Sequence, residues 1–100
     1  MSESPYQQNV VVKNENGLHL RPAELIARLA MQYDSTVLIT KDNQSADCKN
    51  MLSVLTLGAV QGTQLGLSAE GPDAADALAA LADLFENGFH ELEPSKSDQS

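Results

Sequence analysis

The chain contains two histidines, His19 and His90, and they stand in unlike surroundings. His90 follows the last apolar stripe and has acidic neighbours in Glu91 and Glu93, so it reads as ordinary surface. His19 stands in Gly17-Leu18-His19-Leu20-Arg21-Pro22-Ala23, where the chain turns into a helical pattern. A helix start offers backbone amides with no intrahelical acceptor and the positive end of the dipole, which together suit an anion. A neutral imidazole carries a ring-nitrogen lone pair that can attack a phosphoryl group or hold one covalently. Arg21 adds a planar fork of donors matched to phosphoryl oxygens. Gly17 permits a backbone turn that other residues resist. These residue types at this spacing fit phosphate handling. A histidine capping the helix beside a solvated arginine is the plainer alternative, and the residues alone leave both open.

The elements that must position these residues follow from periodicity. Asn9 to Asn14 carries the run Val10-Val11-Val12, which predicts a strand with Val10 and Val12 facing the core. Ala23, Ile26, Leu29, Ala30 and Tyr33 recur at steps of three and four, predicting a helix over about Leu20 to Tyr33. Pro22 fits its first turn, where a missing amide hydrogen costs little. Thr36 to Thr40 alternates with Val37 and Ile39 inward, Asp42-Asn43 signals a turn, and Ser45 to Cys48 returns with Ala46 and Cys48 inward. Asn50 suits the N-cap of a short helix over Met51 to Leu57, ended by Gly58. Gln64 to Glu70 alternates again, Gly71-Pro72 breaks it, and Asp73 can cap a last helix carrying Ala74, Ala77, Leu78, Leu81 and Phe85. The order is β-α-β-β-α-β-α. An α+β two-layer sandwich, with a four-stranded antiparallel sheet and its helices on one face, buries every stripe at once.

Length and charge narrow the function classes. One hundred residues suit a single domain, with a core over about 7–89 and polar tails at 1–5 and 91–100. The net charge of −8 opposes phosphate backbones and anionic headgroups, so neither nucleic acid nor membrane is an expected partner. Cys48 is the sole cysteine, which rules out an intrachain disulfide and a cysteine metal cluster, and no cofactor is expected. Met1-Ser2-Glu3-Ser4-Pro5-Tyr6 lacks the basic start and apolar run of a signal peptide, and a cytoplasmic protein is expected. Asn43-Gln44-Ser45 fits a glycosylation sequon, but without an export signal it reads as a turn.

The segment Gly17 to Ala23 closely resembles the active-site motif of the HPr family, the histidine-containing phosphocarriers of the bacterial phosphotransferase system. Lys49-Asn50-Met51-Leu52-Ser53-Val54-Leu55-Thr56-Leu57-Gly58 resembles the family's second signature. Ala59 to Gly62 and Ser68-Ala69-Glu70-Gly71 fit in unbroken register, and the likeness runs from about Gln7 to Phe89. The resemblance implies a relay in which enzyme I, phosphorylated from phosphoenolpyruvate, passes the group to this protein, which hands it to a IIA domain. It implies that His19 carries the group on Nδ1 and that Arg21 stabilises the phosphate. It also implies that Asn16, Gly17, Leu20 and Pro22 shape the site. Docking residues are then expected among Glu24, Arg28, Lys49, Asn50, Met51, Leu52 and Ser53. Such a carrier is consumed and regenerated stoichiometrically and is not an enzyme by itself; a monomer suits it.

Departures from the family pattern carry their own implications. Some members have a regulatory serine where this chain has Asn50, which caps a helix but accepts no phosphate. Met31 and Ser53 occupy positions that are often basic in relatives. Glu24 adds a negative charge in the first helical turn and can pair with Arg28 four residues on, so electrostatic steering toward acidic partners is expected to be weaker. The end Leu84-Phe85-Glu86-Asn87-Gly88-Phe89 resembles regulatory, nitrogen-type paralogues, whereas Lys49 to Glu70 resembles the sugar-transport branch. Two other classes stand beside the carrier. One is a docking module that is never phosphorylated, against which the presence of His19 and Arg21 argues. The other is an unrelated small α+β domain with a chance motif, which requires the second signature to be coincidence.

Overall fold

Alternation of apolar and polar residues decides the sheet. The computed structural model describes residues 6–90, and the strands are β1 (Tyr6–Val11), β2 (Thr36–Lys41), β3 (Gln44–Asp47) and β4 (Gln64–Glu70). They pair antiparallel throughout in the spatial order β1-β4-β2-β3. Val10, Val37, Ile39, Ala46, Leu65, Leu67 and Ala69 all point to one buried face. A period of two places them there without further instruction. The opposite face carries Asn9, Thr40 and Ser45. The expected polar tails lie outside the described residues.

Three helices cover the apolar face: α1 (Leu20–Ala30), α2 (Met51–Thr56) and α3 (Ala74–Glu86). The predicted stripe of α1 is buried at Ala23, Ile26 and Ala30, while Leu29 and Tyr33 pack at its margin. That of α3 is buried at every predicted position, and Phe85 meets Phe89 edge-on with ring centroids 4.8 Å apart. The element order and the two-layer architecture are those the sequence predicts. Among the described residues no helix is long and apolar enough to cross a membrane.

The differences are local and have physical causes. β1 starts and ends three residues earlier than the valine run suggests, because the ladder to β4 runs from Tyr6 opposite Ala69 to Val11 opposite Gln64. Val12 is still fully buried and exchanges two bonds with the loop before β4, its amide donating to Thr63 O and its carbonyl accepting from Gly62 N. α1 stops at Ala30, since Gln32 N turns back to Leu29 O and Tyr33 N to Ala30 O, closing tighter turns than an α-helix makes. After α3, Gly88, Phe89 and His90 make one turn in the left-handed region, at φ 63°, 59° and 66°, which the sequence does not predict.

Asp73 corrects a second expectation. It stands at the N-cap of α3, yet its carboxylate makes no capping hydrogen bond. It reaches across to the turn between α1 and β2, accepting from Asp34 N (3.0 Å), Ser35 N (2.9 Å) and Ser35 Oγ (2.5 Å). Asp73 N in turn donates to Ser35 Oγ. Ser35 is buried, and its polar groups would be costly if left unpaired, so the cross-chain bonds displace the local cap. Hydrogen bonds from the Ser35 hydroxyl first, and from the Asp34 amide next, hold the Asp73 carboxyl below its ordinary 3.8. Gly71 allows this approach, because a Cβ there would press into the Ser35 backbone.

Candidate functional site

His19 is the N-cap residue of α1, half-buried, with extended backbone at φ −84° and ψ −166°. Its carbonyl accepts the Ala23 amide at 3.0 Å and so opens the helix. Its imidazole makes no capping hydrogen bond to α1. Leu20 and Arg21 are the first two helical positions, where amides have no intrahelical acceptor. Pro22, at the third, brings no amide hydrogen and is buried under the site. Leu20 is 60% exposed and Arg21 is exposed.

The loop that carries His19 is fixed from beneath. Gly17 has φ 71°, in the left-handed region, and a Cβ on it would collide with the carbonyl oxygen of Ala59. Leu18 N donates to that same Ala59 oxygen at 2.9 Å, and His19 N turns back to Gly17 O at 2.9 Å. Asn14 Nδ2 donates to Gly17 O at 2.7 Å from a fully buried side chain. Gln61 Nε2 reaches Lys13 O at 3.1 Å, lacing the loop after α2 to the loop before α1. Asn16, expected to shape the site, lies exposed beside Gly17.

The second group of predicted residues lies on α2 and its approach, and α2 packs against α1. Asn50 caps α2 as expected, its Oδ1 accepting from Ser53 N at 3.2 Å. Lys49 N bonds Asp47 Oδ1 at 2.9 Å, which sets the entry to the helix. Leu52 is 67% exposed, whereas Met51 and Ser53 are half-buried and Met51 packs against the core. The two apolar residues therefore divide: one leans inward, the other faces water. Glu24 and Arg28 form the expected pair, Arg28 Nη2 to Glu24 Oε2 at 3.3 Å. Glu24 lies beyond the first turn of α1, so the dipole contribution expected of it is largely lost.

Two positions under the histidine escape the sequence reading. Ala59 supplies the oxygen on which the loop rests, and Val60, 65% exposed, stands against Gly17. An isolated valine in a Gly-flanked turn outside any stripe is the signal available for Val60, but Ala59 acts through its backbone and leaves none. Cys48 is fully buried, and burial first, with the neighbouring Asp47 carboxylate second, pushes its thiol up to about 12. Such a thiol is inert and belongs to the core.

Comparison with known proteins adds to this geometry. Residues 6–87 match the family model described as the PTS HPr component phosphorylation site. The phosphocarrier protein HPr of Treponema pallidum (strain Nichols) is 38% identical over 84 residues, covering 84% of this chain and 96% of that protein. The phosphocarrier protein NPr of Klebsiella oxytoca is 36% identical over 86 residues, covering 85% of this chain and 96% of that protein. The crystal structure of HPr-C-His from Thermoanaerobacter tengcongensis superposes with a TM-score of 0.82 at 38% identity, covering 86% of this chain and 97% of that one. With the fold, the histidine-bearing helix start and the second signature on α2 in place, the chain belongs to the HPr family of phosphotransferase-system phosphocarriers.

Proposed function

We propose that His19 accepts a phosphoryl group on Nδ1 from the phosphohistidine of enzyme I and passes it to a IIA domain that serves sugar uptake. The observation that supports this reading is the placement of His19: an imidazole at the N-cap position of α1, beside Arg21 and the first-turn amides that the helix itself leaves without acceptors. In the accepting step the His19 ring nitrogen bonds to phosphorus as the bond to the donor histidine breaks, and that electron pair returns to the donor ring. The amides of Leu20 and Arg21 and the Arg21 guanidinium offset charge on the phosphoryl oxygens. Positioning and charge compensation carry such a transfer, with little covalent work left to the protein.

A carrier must be met by two partners in turn. Leu20 and Leu52, both well exposed, are the apolar contacts of that surface, with Arg21, Arg28 and Lys49 as its charges. Met51 supports the patch from below, and Glu24, Asn50 and Ser53 stand at its margin. The interface is modest and short-lived, as a handoff demands, and the carrier acts as a cytoplasmic monomer. A regulatory relay without transport is the second reading, supported by the near-equal identity to HPr and NPr relatives.

Incubation with phosphoenolpyruvate and cognate enzyme I, followed by intact mass, tests the proposal. One acid-labile phosphoryl group on the wild type and none on His19→Ala is the expected result. Subsequent transfer to a sugar-specific IIA domain, in preference to a regulatory one, separates the two branches. No added mass on the wild type overturns the carrier reading in favour of a docking module.

A further inference from the structure

Lys41 ends β2 on the inward face, two residues beyond Ile39, where an aliphatic residue would continue the pattern. The residue is half-buried, and its ammonium donates to Leu57 O at 2.9 Å. Leu57 is the C-cap of α2 and is itself buried. Its carbonyl belongs to the last turn of a helix, where carbonyls lack intrahelical donors and a positive charge is favoured. α2 has no basic residue of its own in that turn. Six residues make a helix too short to persist unaided, so its tertiary anchors decide where it sits.

The consequence reaches the histidine in two residues. From Leu57 the chain turns through Gly58, at φ 60°, to Ala59, whose oxygen receives the Leu18 amide and underlies Gly17. A hydrogen-bonded path therefore runs from the Lys41 ammonium through the Leu57–Ala59 turn to the backbone beside His19. We propose that Lys41 is a positioning residue for phosphoryl transfer, holding the turn that sets the height and direction of the His19 loop. It touches neither substrate nor ring, and acts only through the Leu57 carbonyl. The inference rests on the carrier reading for its effect on rate, but not for its effect on the loop.

The test compares Lys41→Met, which keeps the stem and removes the charge, with Lys41→Arg, which restores a charged donor. Lys13→Met serves as the control for net charge, since Lys13 pairs with Glu86 at the surface. Amide hydrogen exchange at Leu18, read by NMR with no phosphoryl donor present, reports the loop directly. Single-turnover transfer from phospho-enzyme I, expressed per folded molecule, reports the chemistry. Lys41→Met is expected to speed Leu18 exchange and slow transfer by about tenfold, as a small misplacement of a reacting group does. Lys41→Arg is expected to recover both, and Lys13→Met to alter neither. Unchanged Leu18 exchange in Lys41→Met overturns the inference, as does transfer at the wild-type rate. If the wild type itself takes no phosphoryl group, the carrier reading falls, while the exchange measurement still decides whether Lys41 holds the loop.

Discussion

At the residue scale the site depends on one backbone conformation. Gly17 is needed twice, for a φ of 71° and for contact with the Ala59 carbonyl that any Cβ would block. Gly17→Ala is expected to lose roughly 1–3 kcal/mol, the usual cost of a strained left-handed residue, read by urea denaturation. A loss confined to a few tenths would mean that the loop relaxes freely. The turn at Gly17 and the helix start at Leu20 were legible in the sequence, because residue type decides them. Ala59 was not, since what it contributes is a carbonyl oxygen that every residue possesses.

At the element scale, strands and helices were legible wherever a stripe of apolar residues was long enough to fix a period. Their ends were not, because ends are settled by partners distant in sequence. Asp73 shows why. Its type and place before an apolar run are those of a helix cap, but buried Ser35, 38 residues away, offers donors that would otherwise go unpaired. Its carboxyl titrates below 3.8 in the folded chain, so ionised Asp73 stabilises the fold. That contribution is fully present above the unfolded value and fades as pH falls through the folded one. Asp73→Asn is thus expected to melt lower than the wild type at pH 7, with the gap narrowing on acidification below about 4. Thermal melts over that range check it, and a gap independent of pH would contradict it. Asn50, by contrast, caps α2 as its type predicts, its Oδ1 accepting from Ser53 N only three residues on.

At the scale of the whole molecule, the helical layer leaves Leu20 and Arg21 of α1 and Leu52 of α2 exposed, the face proposed for docking, while net charge works against attracting acidic partners. The chain carries −8, and Arg28 is engaged by Glu24. That pair is exposed on both sides and contributes only about 0.3–0.5 kcal/mol, so it holds nothing in place. Its effect is on the field around the docking face. Association with an acidic partner is expected to proceed at about 10⁵–10⁶ M⁻¹s⁻¹, with a shallow dependence on salt. Stopped-flow rates that fall steeply with ionic strength would show that Arg21, Arg28 and Lys49 outweigh the net charge. On the proposed docking face Leu20 and Leu52, 60% and 67% exposed, are then expected to carry more of the recognition than in a basic carrier.

Which of the two imidazoles takes the phosphoryl group is read on the phosphorylated protein itself. Long-range ¹H–¹⁵N correlation spectra of the ¹⁵N-labelled chain, before and after phosphorylation through enzyme I, resolve both rings and both nitrogens of each. The expected change is confined to the His19 ring, with phosphorus bonded to Nδ1 and His90 unaltered. Phosphorus on His90, on Nε2 of His19, or on neither ring would contradict it.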